Sequence, residues 1–255
     1  MTALRSTRVL GSAGFVAADV VLDGGLIVGV EPHGTVGGAE DLGDLVIAPG
    51  FVDVQVNGAF GHDFTVEPAS IWEVAARLPE HGVTAFCPTI ISAPEGMIEA
   101  AISALGARPA GFGGAEPLGL HLEGPLLSAA RKGAHPEVFL RSSADTDTWL
   151  PPAVRLVTVA PEVSGTELIA DLSDRGITIS VGHTDTDAAG AVEAFAAGAS
   201  HVTHLFSAMP PMLHRDPGPV GAALADPDVT VSLIVDGIHT APEMIAITYA
   251  AVGPE

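Results

Sequence analysis

The sequence predicts an α/β protein: a TIM-like (β/α)8 barrel that lacks its C-terminal strand here, preceded by a small N-terminal β-sandwich module. Three observations predict it. From Ala48 onward, near-continuous apolar runs of four to seven residues alternate with helical stretches, the pattern of a parallel sheet covered on both faces. Seven such runs are present, against the eight of a closed barrel. Polar, chemistry-bearing residues stand at the C-terminal ends of at least five runs, where barrels gather their sites. A doubly wound open sheet is the alternative, but it would collect its site at one switch point.

The elements follow in order. Residues 1–48 read as the β module: Val16 to Val30 carries short apolar runs around the turn signal Asp23-Gly24-Gly25. Gly34 to Asp44 is Gly-rich and acidic and reads as a loop. Residues 49–255 form the barrel domain. Its strand candidates are Phe51–Val56, Val83–Cys87, Leu118–Leu122, Arg155–Val159, Ile177–Val181, His201–His204 and Thr230–Val235. Helix candidates are Pro68–His81, Glu95–Leu105, Thr166–Arg175, Thr186–Ala197 and Pro242–Val252.

Composition narrows the function. Hydrophobic residues make up 47% and aromatics only 5%, so the core is aliphatic. The net charge of -21 argues against nucleic-acid or anionic-membrane partners, while a local Arg/His pocket could still take a small anion. Cys87 is the single cysteine; it excludes an intrachain disulfide framework and fits a reducing cytoplasm as a buried, inert thiol. No apolar stretch reaches the roughly 18 residues of a membrane span. Arg5 and Arg8 precede Val9 to Ala18 in a faint signal-peptide shape, but the Gly and Ser interruptions suit two short strands better.

Chemistry concentrates at three strand ends: Glu123 in Gly119-Leu120-His121-Leu122-Glu123-Gly124-Pro125, His183 in Gly182-His183-Thr184, and His204 in Thr203-His204-Leu205. A catalytic zinc site needs three such ligands and an open fourth position. Strands three, five and six of a closed barrel would aim these groups at one centre. His121 shares a face with Glu123, whereas His201 and His204, three residues apart, fall on opposite faces of an extended strand.

On these motifs the chain resembles the N-acetylglucosamine-6-phosphate deacetylase family of the amidohydrolase superfamily. Further carriers are Pro49-Gly50-Phe51-Val52-Asp53-Val54-Gln55-Val56-Asn57-Gly58, Lys132-Gly133-Ala134-His135, Ala208-Met209-Pro210 through Arg215-Asp216-Pro217-Gly218, and Asp236-Gly237-Ile238-His239. The resemblance implies Glu123, His183 and His204 as ligands of one divalent metal ion, Zn²⁺, in a homodimeric cytoplasmic hydrolase. Gln55 and Asn57 stand where many superfamily relatives carry His-x-His, which implies the mononuclear branch. The implied reaction is metal-dependent hydrolysis of the acetamide of N-acetylglucosamine 6-phosphate to glucosamine 6-phosphate and acetate, with this small amino-sugar phosphate as the only partner class.

Roles implied for other residues are oxyanion stabilisation and contact with the acetyl group or the sugar by His135, and sugar or phosphate contact by His239. Phosphate pairing would fall to Arg215, with the neighbouring subunit of a dimer as one source of that residue. Amides near Ala208 would bind the same phosphate. Ser207 stands where many members have Asn, which puts the phosphate affinity in question. The family's general-base aspartate falls some twenty residues beyond the Asp-Gly-Ile-His histidine, but only 16 residues (255 minus 239) follow His239. Neither Glu243 nor Glu255 matches its motif. The expectation is therefore a truncated piece of a longer deacetylase, with low or no turnover. Another amidohydrolase and a catalytically silent sugar-phosphate or metal binder are the alternatives.

Overall fold

The computed structural model describes residues 1–94 and 96–253. Glu255, and Glu95 at the expected start of a helix, lie outside them. The chain divides into two units, Met1–Phe51 and Val52–Glu255.

The first unit is a mixed sheet. β1 (Thr2–Gly11), β2 (Gly14–Asp23) and β3 (Leu26–Pro32) form an antiparallel meander, and two short strands, β4 (Glu40–Asp41) and β5 (Val46–Ile47), pair with β1 in parallel. The β2–β3 turn places Gly24 at φ 57° and Gly25 at φ 82°, the left-handed pair that a tight two-residue hairpin requires. Val9, Ala18 and Val20 form its small core, with Leu22 and Ile47 against them. Arg5 and Asp19 face one another across β1 and β2. Arg5 Nε and Nη2 donate to Asp19 Oδ1 and Oδ2, both at 2.8 Å. Asp19 also accepts the backbone N–H groups of Gly34 (3.1 Å) and Val36 (2.8 Å), so one buried carboxylate fastens the Gly-rich loop to the sheet.

The second unit is built on a sheet ordered β13-β12-β11-β10-β9-β7-β6, with β8 beside β7. These strands are β6 (Phe51–Val56), β7 (Val83–Ile91), β8 (Glu116–Pro117), β9 (Leu120–Glu123), β10 (Val154–Val159), β11 (Thr178–Val181), β12 (Ala199–Val202) and β13 (Thr230–Val231). The ladders from β7 through β9 to β13 are parallel. Helices alternate with them: α1 (Ile71–Arg77), α2 (Met97–Gly106), α3 (Pro161–Ser164), α4 (Thr166–Asp174), α5 (Ala188–Ala196), α6 (Gly218–Ala225) and α7 (Pro242–Val252). The core between them is aliphatic, with Phe64, Phe86 and Trp149 as its buried aromatics. This curled parallel sheet with alternating helices is the α/β class the apolar runs predicted.

Several bounds differ from expectation. The helix expected over Pro68–His81 is a short α-helix between two 3₁₀ turns, Pro68–Ser70 and Leu78–His81. Pro79 has no N–H to extend the α ladder, and Gly82 closes the segment at φ 80°. β7 runs on to Ile91, burying Thr89 and Ile90. β12 stops at Val202, so His204 stands two residues past the strand rather than at its end. β13 is correspondingly short, because its ladder partners are His201 and Val202. Helix α6 was not anticipated; a proline in its first turn suits a helix start. Cys87 is buried and burial pushes its thiol up to about 11, which keeps it unreactive.

Asp19 gives the first unit a defined acid response. The Arg5 hydrogen bond, opposed by burial and helped by the Val36 and Gly34 amides, holds its carboxyl well below the usual carboxylate range. Its contribution is therefore present above the unfolded value of about 3.9 and lost as pH falls below it. Hydrogen exchange read by mass spectrometry on peptides spanning residues 2–36 should show protection falling over that acid window. Asp19→Asn should lower protection already at neutral pH and remove the window.

Candidate metal centre

Four side chains converge at the C-terminal ends of the strands. Glu123 closes β9, His183 follows β11 by two residues, and His204 follows β12 by two. His135 enters from the loop after β9. All four are buried. Glu123 Oε1 lies 3.2 Å from His183 Nε2 and 3.0 Å from His204 Nε2, and the two Nε2 atoms are 3.1 Å apart. Three donor atoms thus form a nearly equilateral triangle. Around a tetrahedral zinc with bonds of about 2.0–2.1 Å, ligand atoms sit about 3.3–3.4 Å apart, close to these edges.

The protons make the case independently. Arg131 carbonyl oxygen can only accept, so His183 Nδ1, 2.8 Å away, carries the hydrogen. The neutral His183 therefore presents a lone pair at Nε2. Glu123 Oε1 is also an acceptor and already receives Gln55 Nε2–H at 2.9 Å. Two acceptors aimed at one point repel unless a cation or a hydrogen-bond donor lies between them, and His204 Nε2 is the third nitrogen at that point. The Nδ1–H to backbone carbonyl bond is the outer contact that metal-binding histidines characteristically make. His204 Nδ1 is buried with no hydrogen-bond partner among the described residues. Burial would raise the Glu123 pKa, but the imidazoles of His135, His183 and His204 packed around it outweigh this and keep the carboxyl well below its usual range. The donor set, anionic oxygen plus imidazole nitrogens, fits a divalent metal ion.

A grouping by mutual distance joins Glu123 and His183 with His135, all within 4.8 Å. His204 belongs on the shorter distances given above. His135 differs from the others in its protonation. Ser92 backbone N–H donates to its Nδ1 at 3.2 Å and Ser92 Oγ lies 2.9 Å from the same atom. An N–H can only donate, so His135 Nδ1 is the acceptor and the hydrogen resides on Nε2. That Nε2 stands 3.5 Å from Glu123 Oε2. His135 is in this state a hydrogen-bond donor facing the cluster, without a lone pair to offer it.

The backbone at the site is strained. His183 (φ 47°), His204 (φ 34°), Phe206 (φ 76°) and Ala208 (φ 53°) are four of the five non-glycine residues with positive φ among the described residues, and such conformations cost on the order of 1–3 kcal/mol each. Hydrogen bonds over-determine them: His183 O accepts Ser128 N–H, Ala208 O accepts Thr184 N–H, His204 O accepts Ser207 N–H, and Ser232 Oγ accepts His204 N–H. The loop bearing Arg131 and His135 is itself braced by an Arg131 Nε to Asp185 Oδ1 bond of 2.8 Å.

Of the other sequence candidates, Ser207 and Ala208 lie in the strained loop after His204, half-buried. Arg215 is exposed and makes no hydrogen bond or ion pair among the described residues. His239 is exposed and bonded to Asp236 at 2.6 Å, whose carboxyl is held at about 2 by the His239 and Ile238 backbone N–H groups and then by that ring. Neither is hydrogen-bonded to the cluster. Three contributors were not foreseen. Ser92 had no signal beyond its place near a strand end. Arg131 acts through its carbonyl, which no side-chain motif reveals. Gln55 was seen as a lost ligand, but its bond to Glu123 was not.

The model of the Amidohydrolase family matches residues 46–252, and the chain belongs to the amidohydrolase family. It is similar to N-acetylglucosamine-6-phosphate deacetylases: 42% identical to that of Homo sapiens over 228 residues (83% of this chain, 56% of the relative) and 40% identical to that of Bacillus subtilis over 222 residues (82% and 56%). A mutant N-acetyl-D-glucosamine-6-phosphate deacetylase from Mycobacterium smegmatis, solved in complex with N-acetyl-D-glucosamine-6-phosphate, superposes with TM-score 0.89 at 34% identity, covering 100% of this chain and 68% of that one. The chain spans about half the length of the curated relatives it matches.

Gly133 offers a test of the ligand cradle. At φ 55° it packs on His183, and an added Cβ would lie 3.1 Å from His183 Cε1. Gly133→Ala should lower divalent-metal affinity about 10-fold, as changes just outside a ligand set do. Competition titration against a chelating dye measures it.

Proposed function

We propose that this chain carries the metal centre of an N-acetylglucosamine-6-phosphate deacetylase, with Glu123, His183 and His204 holding one zinc ion. The observation that supports it most is the triangle of one carboxylate oxygen and two imidazole nitrogens beside an Nε2–H donor, His135. Zinc fits one carboxylate and two imidazoles, and when bound it would supply Lewis-acid polarisation of the acetamide and an acidified water.

The chain's own groups account for the rest. The His135 Nε2–H points where a hydrogen bond to the acetamide oxygen would strengthen as negative charge develops, the function of an oxyanion donor. Ser92 keeps the Nδ1 side occupied, so the proton stays on Nε2. Gln55 holds Glu123 in its ligating orientation. His239, Ser207 and the amides near Ala208 are the proposed sugar and phosphate contacts. Arg215 is the proposed bidentate phosphate partner, which in a homodimer could come from the neighbouring subunit. A cytoplasmic setting suits the single, inert Cys87.

The hydrolytic proton needs an acceptor, and the neighbouring carboxylates are engaged. Asp185 pairs with Arg131, Glu162 accepts from the Thr184 hydroxyl and the Asp185 amide, and Asp236 holds His239. With no carboxylate free to take that proton among the described residues, the loss is about 10²–10⁴ in rate. The zinc-loaded chain should therefore bind N-acetylglucosamine 6-phosphate and release acetate slowly. Arg215→Ala should weaken binding of the phosphorylated sugar, read by calorimetry, and leave that of N-acetylglucosamine unchanged. Equal effects on both sugars would contradict the phosphate role. Absence of binding by the zinc-loaded protein would contradict the substrate class.

A further inference from the structure

Beneath the metal cluster, five buried side chains that the reaction does not use are hydrogen-bonded in a single file. His201 Nδ1 lies 2.8 Å from Ser180 Oγ, and Ser180 Oγ lies 2.6 Å from Thr203 Oγ1. Thr203 Oγ1 is 2.7 Å from Thr158 Oγ1, which is 2.7 Å from His121 Nε2. The far nitrogen of His121, Nδ1, is 3.1 Å from Val54 O.

One carbonyl sets the direction of the whole file. Val54 O can only accept, so His121 carries its hydrogen on Nδ1 and offers a lone pair at Nε2. Thr158 must donate its single hydroxyl hydrogen there. Thr203 must then donate to Thr158, Ser180 to Thr203, and His201 Nδ1–H to Ser180. Each hydroxyl gives once and receives once, so no hydrogen in the file is unused.

The file can close only because of a glycine. Thr158 belongs to β10 and Thr203 follows β12, with β11 between them. Their hydroxyls meet across the end of β11 at Gly182. A Cβ on Gly182 would stand 2.7 Å from Thr158 Cγ2 and 3.1 Å from Thr203 Cβ. The file and its glycine also flank the proposed ligands in sequence: His121 is two residues before Glu123, Gly182 directly before His183, and Thr203 directly before His204.

We propose that this one-way file is the device that holds the metal ligands in place, with Thr158, Ser180 and Thr203 as positioning residues and with His121 and His201 both fixed as Nδ1–H tautomers. The inference rests on the metal-centre reading given above. The file ties together the strand ends that carry Glu123, His183 and His204, so cutting it should loosen the triangle of donor atoms without removing any of them.

The test uses the full chain, with Thr203→Val as the cut and Thr203→Ser as the rescue. Imidazole ¹⁵N spectra of the metal-free protein should show His121 and His201 protonated on Nδ1. In Thr203→Val, Ser180 loses its acceptor and must donate to His201 instead. His201 should then switch to the Nε2–H tautomer while His121 keeps Nδ1–H. Zinc affinity by chelator competition should fall about 10-fold, and Thr203→Ser should restore both readings. Ser180→Ala, which cuts the next link, replaces Thr203→Val if the latter does not fold, with the same expected loss of affinity. A wild-type His201 protonated on Nε2 would overturn the file. A tautomer switch with unchanged zinc affinity would overturn its positioning role. A wild-type protein with the stated tautomers but no zinc affinity would overturn the metal-centre reading, and with it the link between file and ligands.

Discussion

The structure of this site depends on an electrostatic conflict. His183 is obliged by the Arg131 carbonyl to aim a lone pair at a carboxylate oxygen that Gln55 already orients toward it, and His204 Nε2 lies within 3.0–3.1 Å of both. Burial removes the water that could otherwise separate these groups. A divalent cation resolves the conflict at the spacing the atoms already have. The positive φ angles of His183 and His204 fit the same account. Strain at both proposed ligand positions persists because hydrogen bonds from neighbouring loops fix the backbone there.

The fold contributes by delivering Glu123, His183 and His204 from separate strands to one end of a parallel sheet. Its inner surface is not uniformly apolar. His121, Thr158, Ser180, His201 and Thr203 form a polar layer within the aliphatic core, and burial pushes both histidines down to about 4, so they are uncharged at neutral pH. Leaving such groups unpaired would cost about 1–3 kcal/mol each. Instead each is satisfied by the next, and the core accepts the polarity. The small first unit applies the same principle with charge, since Asp19 is buried with four hydrogen-bond donors around it.

Much of this was legible in the sequence. The alternation of apolar runs and helical stretches gave the parallel sheet because strands buried on both faces leave a continuous hydrophobic signature. Helix α7 was read to the residue, its start marked by Pro242. The convergence of Glu123, His183 and His204 followed from three strand-end motifs. Ser92 and Arg131 were not legible, because a backbone N–H and a carbonyl leave no mark in residue type. The file of hydroxyls was hidden for a related reason: Thr158, Ser180 and Thr203 have ordinary strand propensity, and only the sheet order brings them together over Gly182. Strand ends were misjudged where pairing with a neighbour, rather than composition, decides the length, as in β12 and β13.

X-ray absorption at the zinc edge of the loaded 255-residue protein tests the central claim most directly. The expected spectrum shows a shell of nitrogen and oxygen ligands at about 2.0–2.1 Å with no sulfur, and outer scattering from two imidazoles. Three imidazoles in the shell would make His135 a ligand and contradict its assignment as the Nε2–H donor. A shell without imidazole scattering would contradict the metal centre itself.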